Sequence, residues 1–297
     1  MPTDNDERNS KMTDYVIYAD SSLDLSKETA KEWGVPYAQL SFRFDNGEEY
    51  SNDDMPISDF YAKMRAGGVA KTAAANTDSF YKAFDSVLAE GKDLIYVGFS
   101  SGLSSTYSAA MLAARNLNAK YPDRKIYTVD TLAASAGIAL LIAYMLDMKA
   151  EGKSIDEVRD FAEKMKLNVC HWFTVDNLDY LKRGGRVSPT VAFVGNLLGI
   201  KPVLHVDNEG HLTNVDKVRG RRASLMALAD KLGATILDGY DKVFISHGDC
   251  LEDAKLLASM IETKYNKTVG LITNVGPVIG AHSGPGTMAL FFMGKER

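Results

Sequence analysis

The chain has 297 residues, 45% hydrophobic and 25% charged, the composition of a soluble globular protein long enough for one large domain or two ordinary ones. Its 34 basic against 39 acidic residues leave a net charge of −5, which argues against a nucleic-acid surface. Two cysteines, Cys170 and Cys250, with no CxxC pair, argue against a disulfide scaffold or a structural zinc site and suit reduced thiols in a cytoplasmic protein.

Residues 1–12 are polar and lack the apolar centre of a signal peptide, so they read as a disordered leader. "YVIYAD" predicts a buried strand, and "SKETAKEW" a helix that Gly34 stops. "PYAQLSFRFDNGEEY" alternates around Asp45-Asn46-Gly47, a hairpin signal. "TDSFYKAFDSVLAEG" predicts a helix capped by its threonine or aspartate. The strand "DLIYVGF", the helix "SSTYSAAMLAARNLNAKY", the strand "KIYTVD" and a helix over 133–150 follow. The longest apolar run, "ASAGIALLIAYML", is too short to cross a bilayer and suits a buried helix. Strands alternating with helices predict a parallel sheet covered on both faces.

Near residue 165 the pattern changes. "PVLHVDNEGHLTNVDKV" predicts an antiparallel hairpin around Asn208-Glu209-Gly210. A helix to about 233, the strand "KVFISHG", a helix, then "TVGLITNV" and "TMALFFM" complete the chain. The expected architecture is an N-terminal α/β domain over 13–165 with a parallel sheet. An α+β domain with a mixed or antiparallel sheet follows over 166–297, and the ligand lies in the cleft between them.

"FSSGLSSTY", after a predicted strand and opening a predicted helix, holds the first candidate site. Ligands of open parallel sheets bind there, and helix N-termini favour anions. Ser100 and Ser101 sit on the loop, Gly102 permits close backbone approach, and Ser104 or Ser105 caps the helix. The hydroxyls are a nucleophile, an anion cradle or caps; the stretch lacks the GxSxG elbow and the lysine of a P-loop. In "VGPVIGAHSGPGTMAL", Gly276, Gly280, Gly284 and Gly286 with Pro277 and Pro285 predict a turned backbone around His282, open to a ligand. His205 and His247 fall in strand-like runs; His171 and His211 have no assigned role. "YLKRGGRVSP" carries Arg183 and Arg186, and "KVRGRR" carries Lys217, Arg219, Arg221 and Arg222, which read as solvated faces or as sites for phosphate or an acidic partner. "YADSS" reads as a turn after the first strand, and "KTAAANT" offers Thr72 on a loop.

In order and spacing, "YADSSLDL", "GFSSGLSSTYSAA", "LKRGGRVS", "GIKPVL", "VRGRR" and "VGPVIGAHSGPGTM" resemble the DegV family of bacterial fatty-acid-binding proteins, which serve a separate fatty acid kinase. The resemblance implies two domains with an acyl chain buried between them. Its carboxylate would be held by Ser100 or Ser101, His282 and Thr72, with Arg186 and Arg219 facing the ATP-binding kinase or its nucleotide. It implies no catalysis by the chain alone, no cofactor besides the bound fatty acid, and acyl phosphate for phospholipid synthesis as the outcome of the partnership. Two departures stand out: Ala73-Ala74-Ala75 replaces the family's frequent Ser-Gln-Pro, and Ser105 replaces a glycine. The apolar stretches at 192–200 and within 133–150 are the first candidates for the tunnel wall. The competing readings are a serine-dependent hydrolase or acyltransferase using Ser101 and His282, and a lipid-sensing regulatory protein.

Overall fold

The computed structural model describes residues 14–45, 47–187, 199–295 and 297. The predicted leader, Asn46 of the first hairpin turn and nearly all of the 192–200 stretch lie outside the described residues. The chain runs β1 (Tyr15–Asp20), α1 (Lys27–Glu32), β2 (Tyr37–Ala38), β3 (Ser41–Phe44), β4 (Glu49–Ser51), α2 (Ile57–Arg65), β5 (Ala70–Ala73) and α3 (Thr77–Ala89). It continues through β6 (Asp93–Gly98), α4 (Thr106–Lys120), β7 (Ile126–Asp130), α5 (Ala136–Ala150) and α6 (Ile155–Met165). Then come β8 (Val169–Thr174), α7 (Asp179–Arg183), β9 (Ile200–Val206), β10 (Leu212–Arg219) and α8 (Arg221–Thr235). The chain closes with β11 (Val243–His247), α9 (Leu251–Tyr265), β12 (Leu271–Asn274), α10 (Pro277–Ser283) and β13 (Met288–Met293).

The fold is mixed α/β. A four-stranded parallel sheet has the order β2-β1-β6-β7, and a six-stranded mixed sheet the order β10-β9-β8-β13-β11-β12. In the second sheet only β11 and β12 pair in parallel among the described residues. Strand β6 is buried along its whole length, as a parallel strand covered on both faces must be. Helix α5 packs against strands of both large sheets, which is why "GIALLI" carries no polar face. One apolar cluster accordingly passes from Ile17 and Ile95 through Ile138 and Leu141 to Phe173, Phe244 and Phe291. The hairpin read in "PYAQLSFRFDNGEEY" is β3–β4, and β5 pairs with β3 on its other side to make a small antiparallel sheet, β4-β3-β5; with Phe60 and Tyr61 of α2 it buries its apolar face against Ala281 of α10.

Several local readings change. The cap of α3 is Asn76, whose Oδ1 accepts from the Ser79 N–H at 2.8 Å, in place of the expected threonine or aspartate. Thr72 lies in β5, opposite Phe42, instead of on a loop. The glycine-rich stretch around His282 is a helix with Pro277 in its first turn, where the N–H that proline lacks would have no partner within the helix. That helix is anchored from three sides. Gly276 N–H donates to Asp24 Oδ1 and Val278 N–H to Asn52 Oδ1, each at 2.9 Å, and Tyr61 Oη donates to the Val275 carbonyl at 2.8 Å. Gly276 and Gly280 are needed for packing, because a Cβ at 280 would stand 2.6 Å from Tyr61 Oη and one at 276 would stand 2.8 Å from Asp24 Oδ1.

Candidate functional site

A cavity of about 1080 Å³, counting its open mouth, lies where the two large sheets and the small sheet converge. Most of its wall is apolar: Leu40, Phe99, Leu103, Phe173, Leu181, Val206, Leu212, Val278, Ile279 and Ala289 contribute. Ala73 and Ser105 line it and are solvent-exposed, which places the mouth between the end of β5 and the start of α4.

A polar group gathers beside that mouth. Thr72 Oγ1 and His282 Nε2 are 2.8 Å apart, joining residues 210 positions apart in the chain. His282 Nδ1 is buried with no hydrogen-bond partner among the described residues. Burial, and secondarily the Arg186 charge, push the imidazole down to about 4, so it is neutral near pH 7. The ring lies directly over Gly184, where an added Cβ would stand 2.1 Å from Nδ1. Arg186 also lines the cavity, with Nε donating to the Leu103 carbonyl at 3.3 Å and Nη1 to the Gly184 carbonyl at 2.5 Å. Burial lowers its pKa, the mark of a guanidinium partly stripped of water. Ser104 and Ser105 complete this part of the wall; Ser105 is the N-cap of α4 but makes no side-chain cap bond, while Ser104 Oγ, one residue earlier, accepts from the Thr106 N–H at 3.2 Å.

The structure therefore brings Thr72, His282 and Arg186 together. Ser100 and Ser101, named from the same sequence stretch, do not line the cavity. Ser100 is fully buried, and its Oγ donates to the Gly210 carbonyl at 2.9 Å. Ser101 is exposed, with its N–H on Asp130 Oδ1 at 3.1 Å. The close backbone approach at Gly102 is made by the β9–β10 turn, not by a ligand: a Cβ there would sit 2.8 Å from the Glu209 carbonyl oxygen. His282 Nε2 is paired with Thr72 and not with Ser101, so the nucleophile–base pair that the competing hydrolase reading needs is not formed. Arg219 is exposed at the end of β10, outside the cavity wall, while Arg186 belongs to that wall instead of an outer face.

Reading the sequence alone missed a second polar group, deep in the same cavity. Ser135 and Ser246 are buried lining residues with their Oγ atoms 2.9 Å apart, and Ser135 Oγ donates to Asp24 Oδ2. Asp24 is buried, which pushes its carboxyl up to about 7 against the pull of its hydrogen bonds. "YADSSLDL" supplies this aspartate, and also Asp20, whose Oδ2 accepts from Tyr96 Oη at 2.6 Å and from the Phe99 N–H at 3.1 Å. That bond fixes the loop leading to α4. His171 lines the cavity too, but its Nε2 accepts from the Ala134 N–H and its Nδ1 faces the Val169 carbonyl, a structural arrangement with both nitrogens occupied. His205 stacks on Trp172, His247 Nδ1 accepts from the Cys250 N–H, and His211 is exposed near Asp207 and Glu209. Among the described residues no cluster of three histidine, cysteine or acidic side chains is placed to hold a metal ion, and no helix is long and apolar enough to cross a membrane.

Comparison with known proteins agrees with this architecture. Residues 15–295 match the family profile described as "Uncharacterised protein, DegV family". A DegV domain-containing protein of Clostridium perfringens is 44% identical over 289 residues, 96% of this chain and 99% of the relative. A fatty acid-binding protein of Thermotoga maritima is 34% identical over 95% of this chain and 98% of its own length. Among solved structures, a Thermotoga maritima protein described as revealing a fatty acid binding function superposes with a TM-score of 0.82 at 30% identity, covering 95% of this chain and 99% of that one. With a profile match spanning almost every described residue and relatives of equal length above 30% identity, this chain belongs to the DegV family.

Proposed function

We propose that the chain, divided near residue 165 into two domains, is a cytoplasmic protein that encloses a long-chain fatty acid in this cavity. The carboxylate would sit at the mouth against Thr72 and His282, with Ser104 and Arg186 beside it. The observation that carries the reading is the Thr72–His282 pair, with an unpartnered imidazole nitrogen and a half-buried guanidinium beside it, at the mouth of an otherwise mainly apolar cavity. A buried carboxylate left bare is costly, and hydroxyl and imidazole donors offset that cost. Fully enclosing a sixteen-carbon tail contributes on the order of 12 kcal/mol gross, at about 0.8 kcal/mol per CH₂. The relatives described as fatty-acid-binding support the same ligand class.

The finer reading is that the chain presents its ligand to a separate ATP-dependent fatty acid kinase. A carboxylate oxygen would attack the γ-phosphorus of ATP, releasing ADP and leaving an acyl phosphate for phospholipid synthesis. Arg186, which lines the cavity, would meet the charge of the transferred phosphoryl group. The chain itself would supply no catalytic group. The test is mass spectrometry of an organic extract of the purified protein, then addition of kinase and ATP. A stoichiometric fatty acid that becomes acyl phosphate, with Arg186→Ala slowing the second step, is the expected result. A blank extract after the protein has been offered a mixed fatty-acid pool would overturn the binding reading; bound fatty acid that is never phosphorylated would overturn the kinase reading alone. A fluorophosphonate probe should fail to label Ser101.

A further inference from the structure

The cavity has two polar poles, and only the one at the mouth is used by a simple fatty acid. The other is fully interior. Ser246 and Ser135 line the wall, both buried, with Asp24 directly behind them. Ser135 holds this arrangement at φ 56° and ψ −147°, backbone territory that side-chain-bearing residues avoid, and Asp24 is itself left-handed at φ 56°. Asp24 anchors α10 through Oδ1, but its Oδ2 is turned to Ser135, and a wall meant only for methylene groups would be served by glycine at 135 and alanine at 246. The same cavity also carries Ser283 Oγ, buried and without a hydrogen-bond partner among the described residues.

We propose that Ser246 and Ser135 form a second binding subsite that accepts a hydroxyl group carried on the acyl chain, making hydroxy fatty acids preferred ligands. The proposal rests on the fatty-acid reading above. Its chemistry follows from proton counting. With Asp24 ionised, Ser135 donates to the carboxylate and Ser246 donates to Ser135, which leaves the Ser246 oxygen a free lone pair toward the cavity. With Asp24 protonated the relay reverses, and Ser246 offers its proton instead. A hydroxyl satisfies either direction, since it both donates and accepts. A ketone satisfies only the second. With Asp24 ionised behind the serines, a second carboxylate is opposed, so a dicarboxylic acid gains nothing from this subsite in that state. Ser283 supplies a further hydroxyl to the same wall.

The experiment measures the affinity of the delipidated full chain for stearic acid, for monohydroxystearic acids differing in hydroxyl position, and for the matching dicarboxylic acid. At least one hydroxy isomer should bind about fivefold or more tighter than stearic acid, the order expected of one added buried hydrogen bond. The ratio of hydroxy to parent affinity should fall to about one in Ser246→Ala and stay raised in Ser246→Thr, which keeps the hydroxyl. Ser135→Gly, which suits the backbone at 135 and removes the relay, should lower the same ratio and guards against a folding defect peculiar to position 246. The proposal is overturned if every isomer binds within about twofold of stearic acid, or if a preference survives in both Ser246→Ala and Ser135→Gly. If stearic acid itself does not bind, the fatty-acid reading fails and this inference falls with it.

Discussion

Replacing Gly184 by alanine should disable the mouth of the cavity without introducing a charge or removing a polar atom. Gly184 has φ −71° and ψ −13°, ordinary helical backbone, so alanine is conformationally acceptable. The new methyl would stand 2.1 Å from His282 Nδ1 and 3.0 Å from its Cγ, well inside contact distance. The main chain around 184 is held by the Tyr180 carbonyl and by Arg186, so the imidazole must move. Moving it gives up the Thr72 bond, about 0.5–1.5 kcal/mol, and costs a similar amount in rotamer strain. The lower chain entropy of alanine in the unfolded state returns about 0.4–1 kcal/mol. The net loss is therefore about 1 kcal/mol, or roughly 1–2 °C in melting temperature for a chain of 297 residues.

Ligand affinity should suffer more than stability. A hydrogen bond to a charged group contributes about 1.5–3 kcal/mol, so palmitic acid should bind roughly tenfold to a hundredfold more weakly. Titration calorimetry on Gly184→Ala, His282→Ala and the double variant closes a cycle. If the glycine acts through the histidine, adding Gly184→Ala to His282→Ala changes affinity by less than about twofold. Additive losses, or wild-type affinity in Gly184→Ala, would refute the reasoning.

Three further outcomes are expected. His282 has a folded pKa near 4 against an ordinary value near 6.5, so on acidification the unfolded chain takes up the proton first. The stability from this group is full above about pH 6.5 and lost progressively toward pH 4, about 3 kcal/mol in total. Urea unfolding at pH 7 and pH 5 should show a drop about 2 kcal/mol steeper in wild type than in His282→Gln; equal drops would contradict it. Ser104→Ala should weaken fatty-acid binding severalfold while Ser101→Ala does not, and the reverse order would return the site to the loop serines. Arg297 donates to the carbonyls of Val169, Asp207, Thr131 and Lys166 at 3.0–3.3 Å, and burial pushes its guanidinium down to about 10. Arg297→Met, which keeps the stem and leaves those carbonyls unpaired, should cost about 2–4 kcal/mol in denaturant unfolding, and a loss under 1 would show that water replaces the guanidinium.

Where the fold is legible in the residues, it is because composition and periodicity agree locally. The β–α alternation through residue 150, the apolar run that becomes α5 and the hairpin at Asp207–Gly210 each carry their own signal within a few residues. Strand β8 does not: "VCHWFT" is buried on every residue, so the alternation that marks a half-exposed strand is missing. Helix α10 was read as a turn because its glycines resemble punctuation, whereas Gly276 and Gly280 are small so that Asp24 and Tyr61 can approach. Of the four serines at 100–105, Ser104 and Ser105 line the cavity, and a contact 110 residues away takes Ser100 out of it. The Gly210 carbonyl captures Ser100, and the loop then turns through Ser104, whose N–H donates back to the Ser100 carbonyl at 3.1 Å. Asp24, Ser135 and Ser246 meet only because β1, α5 and β11 converge, and none carries a motif by itself.

The electrostatics of the mouth follow from that convergence. Arg186 raises the cost of protonating His282, so in the empty cavity the two do not both carry charge near neutral pH. A carboxylate at the mouth would act on both groups in the opposite sense: it would lift the imidazole back toward its ordinary range and return to Arg186 the anion its desolvation leaves it wanting. Fatty-acid binding at a pH between about 4 and 6.5 should then be accompanied by proton uptake, and at pH 8 by almost none, because the imidazole stays neutral in both states there. Calorimetry in two buffers of different ionisation enthalpy measures this uptake directly. An uptake in wild type near pH 6 that vanishes in His282→Gln would place the carboxylate beside the imidazole. Equal uptake in both proteins would move the head group elsewhere, with Asp24 at the interior pole as the next group to test.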